Sequence, residues 1–177
     1  LYNRVAFMKY AYDIFHDASV GASRHAIFFI DLDNFKNIND TLGHDYGDLL
    51  LKDVSSRMLS CIASDDILAR NGGDEFLVLK NRFDNVDDLE NFAEQLVNIV
   101  HHPFILNDET AMVSMSVGIA VFPNNGLTVS ELIKNADIGS ITSAMSVISG
   151  LIVIIIMNTP MSVVTEVMSV VMLWLRL

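Results

Sequence analysis

Ile67-Leu68-Ala69-Arg70-Asn71-Gly72-Gly73-Asp74-Glu75-Phe76-Leu77-Val78-Leu79 carries two short apolar runs split by a glycine pair and two carboxylates. Two such runs joined through adjacent glycines read as a β-hairpin, because glycine reaches the backbone conformations that a tight reversal needs. The glycines also let a bulky ligand come close to the backbone. Asp74 and Glu75 at the tip offer oxygen ligands for a metal, or a base. An ordinary tight turn with polar tips has the same composition, so the hairpin alone leaves its role open.

Upstream, Ala26 to Leu32 has the length of a buried strand and ends in Asp31-Leu32-Asp33. A strand end projects side chains into a crevice while the packed sheet holds the backbone still. Carboxylates there suit a hard cation, and the loop N–H groups that follow can meet phosphate oxygens; a solvated acidic turn is the equal alternative. Asn34 to Gly47 is rich in Asn, Asp, Thr and Gly and reads as turns. From Asp48 to Ile62, Leu51, Val54, Met58 and Cys61 recur at helical spacing. Asn39 and Asp48 could pair an amide and a carboxylate with the edge of a guanine. Helix capping is the plainer use of both.

Downstream, Leu89, Phe92, Leu96 and Ile99 mark a second amphipathic helix, ending near His101-His102-Pro103. Val113, Met115, Val117, Ile119 and Val121 alternate with small residues, which predicts a strand with one core face. Val129 to Ala136 begins a third helix, and Arg4 to Phe15 forms one before the first strand, leading on through Gly21. This order implies an α/β sandwich, an α+β fold around a mainly antiparallel sheet.

A chain of 177 residues, 51% hydrophobic and 19% charged, is long enough for one domain with a sizeable core. Its net charge of -11 excludes non-specific nucleic-acid binding, which needs a basic surface to neutralise phosphates. A small anionic ligand is still compatible, since backbone N–H groups and a divalent metal supply local positive potential. Cys61 is the single cysteine, on the apolar side of its helix, so it reads as packing and fits a reducing compartment. Leu1 opens directly on structured sequence, and the chain reads as a piece of a longer protein.

Ile30-Asp31-Leu32-Asp33-Asn34-Phe35-Lys36, Asn39-Asp40, Gly43-His44, Gly47-Asp48 and Arg70-Asn71-Gly72-Gly73-Asp74-Glu75-Phe76 together resemble the GGDEF (diguanylate cyclase) family, with its spacings kept. Leu1-Tyr2-Asn3-Arg4 resembles the end of that family's opening motif, and Ser116-Val117-Gly118-Ile119-Ala120 its later strand. The resemblance runs from residue 1 to about Asp137. It implies a fold of the nucleotide-cyclase, polymerase-palm kind with GGDEF on a β-hairpin. It also implies condensation of two GTP into cyclic di-GMP with release of pyrophosphate. Mg²⁺, or Mn²⁺, would be held by Asp31, the Leu32 carbonyl, Asp74 and Glu75, in the two-metal manner of phosphoryl transfer. Glu75, beside Asp74, would help deprotonate the 3′-hydroxyl. Asn39 and Asp48 would read guanine. Asn34 and Phe35, through backbone N–H groups, and Lys36 would cradle the phosphates, with Gly72 and Gly73 leaving room for the substrate. Each domain binds one GTP, so catalysis implies a homodimer. The resemblance further implies a cytoplasmic site, or the inner face of the membrane, and control from an upstream sensor domain.

The sequence departs from the family in two places. Many members carry an Arg-x-x-Asp inhibitory motif; here Asp66 is present but Ala63 stands at the arginine position, which predicts weak or absent product inhibition. The helix after Asp137 usually carries a lysine and an arginine that grip phosphates, and their positions hold Ala144 and Ile148. Losing two charge-assisted contacts costs roughly 1.5–3 kcal/mol each. The runner-up function is therefore a catalytically weak or inactive GTP-binding regulatory module; a purely structural dimerisation domain ranks last.

From Ile138 to Thr165 there is no charged residue. Ile138 to Met157 is long enough to span a membrane, though Ser140, Thr142, Ser143, Ser146 and Ser149 dilute it. The other account is an altered helix and last strand, as from a local reading-frame error. It is favoured because Leu151 to Ile156 falls where the family's closing strand belongs. These readings place a GGDEF domain over residues 1–157 and a linker over 158–177. Met161-Ser162 and Val164-Thr165-Glu166 faintly resemble the linker to an EAL phosphodiesterase domain.

Overall fold

The computed structural model describes residues 1–18, 24–145 and 153–155. Along them run β1 (Tyr2–Asn3), α1 (Arg4–Ala18), β2 (His25–Asp33), α2 (Phe35–Leu42), α3 (His44–Leu59), β3 (Ile67–Gly72), β4 (Glu75–Lys80) and α4 (Val86–Val100). A small hairpin follows, β5 (Phe104–Leu106) and β6 (Glu109–Ala111), then β7 (Ser114–Phe122), α5 (Val129–Met145) and β8 (Val153–Ile155). The main sheet has six strands in the order β1-β3-β4-β2-β7-β8. Its four inner strands pair antiparallel, while β1 and β8 join the two edges in parallel. The expected mainly antiparallel sheet between helices is the one that forms.

Strand parity divides the core in two, because alternate side chains point to opposite faces. On one face Ala26, Phe28, Ile30 and Leu32 pack with Val117, Ile119 and Val121 beneath α3 and α4. On the other, Ile27, Phe29, Leu77, Leu79 and Ala120 pack beneath Phe7, Ala11 and Phe15 of α1 and Leu132, Ile133 and Ala136 of α5. β7 is therefore buried on both faces over almost its whole length, not on one. Its alternate Ser, Gly and Ala positions are small because α5 lies against them, not because they meet water.

Asn34 to Gly47 is not a run of turns. It holds α2 and the first turn of α3, separated at Gly43, whose φ of 94° favours glycine. Phe35, Ile38 and Leu42 supply a narrow apolar stripe that the intervening polar residues mask. The second amphipathic helix is α4, started by a capping box between Asn85 and Asp88.

α3 is clamped at both ends. The Tyr46 hydroxyl donates to Asp108 in the β5–β6 turn at 2.7 Å. The Arg57 guanidinium donates to the carbonyls of Ile99, His102 and Pro103 at 3.1, 2.7 and 2.6 Å and stacks 3.6 Å from the Phe104 ring centroid.

β8 pairs with β7, Val117 opposite Val153, where a closing strand was expected. No helix among the described residues is long and apolar enough to cross a membrane. Gly21, Ile148, the proposed linker over 158–177 and its two EAL-like motifs lie outside the described residues.

Candidate active site

The face covered by α1 and α5 changes character along β2. Ile27 and Phe29 are buried in its core, and two residues further on the same face carries Asp31. Asp31 stands opposite Glu75 in β4 and opposite Ser116 in β7. Directly opposed residues of an antiparallel pair have Cβ atoms about 5 Å apart, and like charges there repel. The Asp31 carboxyl is accordingly pushed up to about 6, by burial first and then by the charges of Asp74, Glu75, Asp33 and Asp137. Asp33 is handled differently: the hydroxyls of Ser114 and Ser116 donate to its two oxygens at 2.6 and 2.7 Å. That carboxylate is a fixed part of the sheet.

The hairpin turn closes over this strand end. The Leu32 N–H donates to the Asp74 carbonyl at 3.4 Å, so the strand backbone and the turn move as one piece. The Arg70 guanidinium donates twice to the Gly73 carbonyl, at 2.9 and 2.7 Å, and braces the tip. Gly73 has φ 52°, the left-handed region that favours glycine. A Cβ added at Gly72 or Gly73 would meet nothing within 4 Å, so the turn presents an open cradle that a side chain would fill.

A crowd of carboxylates around one half-buried acid, beside an open glycine turn, is a donor set for a hard divalent cation. Among the described residues no three His, Cys, Asp or Glu side chains form a ready-made cage. Mg²⁺ does not need one, since it is held by one or two carboxylates, waters and substrate phosphates. The residues fit the ion.

Directly after the acidic strand end, Asn34 adopts φ 61° and opens α2. Phe35 is buried and Lys36 exposed, and the first N–H groups of a helix have no partner within it. The Asn37 N–H turns back to the Asn34 carbonyl at 2.9 Å, and the N–H groups ahead of it are of the kind that can bind an anion. Neither Asn39 nor Asp48 caps a helix, contrary to the plainer expectation: both lie inside, Asn39 in α2 and Asp48 in the second turn of α3. Gly47 explains how Asn39 is seated. A Cβ there would come within 1.9 Å of the Asn39 Oδ1 and 3.2 Å of the Phe35 ring, so only glycine lets α2 and this amide lie so close. Asp48 lines a cavity of about 610 Å³ with Leu51, Lys52 and Arg70.

The acidic cluster thus unites Asp31, Asp74 and Glu75, and a second locus unites Asn39 with the start of α3. Sequence reasoning passed over Asp137, Gly47 as a spacer, and Asn71, whose Nδ2 donates to Glu75 Oε2 at 2.6 Å. A lone asparagine before two glycines carries no pattern that would reveal such a contact. Ala144 lies in α5.

The acid left from the inhibitory motif is turned inward. Asp66 accepts from Lys80 Nζ at 2.6 Å and from the Asn81 N–H at 2.9 Å, and its side chain is 1% exposed.

The chain resembles known proteins over most of its length. Cyclic di-GMP phosphodiesterase NbdA of Pseudomonas aeruginosa is 38% identical over 138 residues, 78% of this chain and 18% of that protein. Diguanylate cyclase TpbB of the same species is 35% identical over 136 residues, 76% of this chain and 31% of its own length. The chain spans less than a third of these relatives. The crystal structure of the TpbB GGDEF domain superposes with a TM-score of 0.83 at 31% identity, covering 88% of this chain and 96% of that one. The family model described as diguanylate cyclase, GGDEF domain, matches residues 1–142. With that match and the acidic hairpin in place, the chain belongs to the GGDEF domain family.

Proposed function

We propose that the chain is one half of a diguanylate cyclase, joining its GTP to the GTP of a second copy to make cyclic di-GMP. The observation that carries this reading is the register of β2 against β4, which sets Asp31 opposite Glu75 beside the open glycine turn. Asp31, Asp74, Glu75 and the Leu32 carbonyl would hold Mg²⁺ or Mn²⁺. The metal's contribution when bound is to neutralise charge on the attacking 3′-oxygen and the departing pyrophosphate. The N–H groups at the start of α2, with Lys36, orient the phosphates, and Asn39 and Asp48 select guanine. Glu75 takes the 3′-hydroxyl proton as the new bond from oxygen to the α-phosphorus forms and the bond to pyrophosphate breaks; the proton passes on to solvent. Two bonds need two facing domains, so the active species is a homodimer.

The test is incubation with GTP and Mg²⁺, with products resolved by chromatography. Cyclic di-GMP should form, and Glu75→Gln should lower turnover by about 10²–10⁴-fold, the usual loss on removing a positioned base. A second reading has its own support. Ala144 replaces a phosphate-gripping lysine, and NbdA, a relative named for phosphodiesterase activity, contains a comparable segment. GTP binding by calorimetry with no product, even from a forced dimer, would establish a regulatory module instead.

A further inference from the structure

The register between β3 and β4 breaks between Arg70 and Gly72, where Arg70 faces Phe76 and Gly72 faces Glu75, so Asn71 lies on a bulge. Bulges re-aim side chains, often beside active sites. Alternation from Ala69, which faces Leu77, puts Asn71 on the face that carries Asp31 and Glu75. The bulge sets Gly72 opposite Glu75 and leaves Asn71 beside it, where its Nδ2 donates to Glu75 Oε2 at 2.6 Å. The other end of the same amide is also engaged: Arg4 Nη1 donates to Asn71 Oδ1. Arg4 is the first residue of α1 and follows β1, whose Tyr2 and Asn3 pair with Ala69 and Arg70 of β3. Asn3 in turn accepts the Ala6 N–H at 2.9 Å and fixes the start of α1.

We propose that Asn71 is a positioning residue for Glu75, held in its working orientation by Arg4, so that the start of α1 sets the geometry of the acidic cluster. An amide is suited to this place. Its oxygen accepts a hydrogen bond from the guanidinium and its nitrogen donates one to the carboxylate, so the contact orders Glu75 without adding charge to a site already crowded with it. Supporting partners of this kind are worth about 10–100-fold in metal affinity or activity. The inference rests on the cyclase reading for the role of Glu75, but the hydrogen-bonded chain from Arg4 to Glu75 does not.

The test compares the parent with Asn71→Leu, Asn71→Gln, Arg4→Met and the Arg4→Met/Asn71→Leu pair. The readouts are Mn²⁺ affinity by electron paramagnetic resonance, without nucleotide, and kcat and KM for GTP. Asn71→Leu should weaken Mn²⁺ binding about tenfold and lower kcat more than it changes KM. Asn71→Gln, which keeps the amide, should recover part of both. Arg4→Met should give a smaller loss that disappears in the Asn71→Leu background, the non-additivity expected of one connected unit. Parent-like or tighter Mn²⁺ binding by Asn71→Leu overturns the proposal, and so does an undiminished Arg4→Met loss in that background. A parent that binds Mn²⁺ but makes no cyclic di-GMP sinks the cyclase reading alone, and the Mn²⁺ series still decides the role of Asn71. Where the parent takes its ion only with the nucleotide, kcat decides, and an undiminished kcat for Asn71→Leu overturns the proposal; a parent with neither Mn²⁺ binding nor turnover overturns both readings.

Discussion

Asp31 lies in β2 and Asp66 just before β3 of the same sheet, and their surroundings could hardly differ more. Asp66 is enclosed with a cation: Lys80 reaches it at 2.6 Å, the Asn81 N–H supplies a second bond, and Lys80 also lies 5.0 Å over the Phe92 ring. Asp31 meets mostly its own kind, with Glu75 opposite and Asp33, Asp74 and Asp137 near enough to raise its pKa. A buried charge is tolerated when it is paired and hydrogen-bonded. Asp66 satisfies that rule and serves the fold. Asp31 breaks it, and local violations of this kind gather at functional sites.

The contrast can be broken at either end. Lys80→Met, which strands Asp66 without its cation, should lower stability by about 3 kcal/mol, read from the urea midpoint. Adding Asp66→Asn should restore most of that loss; if Lys80→Met alone is harmless, the pair does not stabilise the fold. Asp31→Asn should act in the opposite direction. The folded protein keeps the Asp31 proton up to about pH 6, whereas an unfolded chain releases it near 3.8. Stability therefore falls as pH rises between those values and stays lower above them. Asparagine removes the penalty, so the metal-free variant should be more stable than the parent at pH 7.5 by about 1–2 kcal/mol, allowing for solvent screening. The gain should vanish near pH 4; a gain independent of pH would point to a cause other than charge.

Smaller effects sharpen the same contrast away from the carboxylates. Gly47→Ala should push the Asn39 amide aside and weaken GTP binding by about one hydrogen bond, roughly 1 kcal/mol by calorimetry. Least of all is expected from added cyclic di-GMP, which should leave the initial rate unchanged because Ala63 offers no charge and Asp66 is engaged with Lys80. Ala63→Arg alone should not create feedback for the same reason, and tight inhibition of either protein would show that Asp66 can leave its partner.

The hairpin, the acidic strand end and the amphipathic faces of α3 and α4 were legible because each is a local pattern: a glycine pair, an apolar run, a three-to-four spacing. Asn34 to Gly47 misled because Asn and Asp favour turns, while the stripe of Phe35, Ile38 and Leu42 is too narrow to outweigh them. The β5–β6 hairpin, with strands of three residues, has no periodicity to read. Whether the small residues of β7 faced water or a helix was decided by α5, distant in sequence. The Asn71 contact crosses from β3 to β4, and which side chains meet there depends on how two strands slide past each other. In the candidate site, the acids were readable by type, but what each one touches was not.

β2 is hydrogen-bonded along both edges and covered by helices on both faces. Its amides can exchange with solvent only when a large part of the molecule opens, whereas those at the uncovered glycine tip need no such event. The acidic cluster thus spans a gradient of protection: Asp31 sits on a strand whose amides stay locked for as long as the fold survives, and Asp74 sits at the rim, beside glycine amides that meet solvent throughout that lifetime.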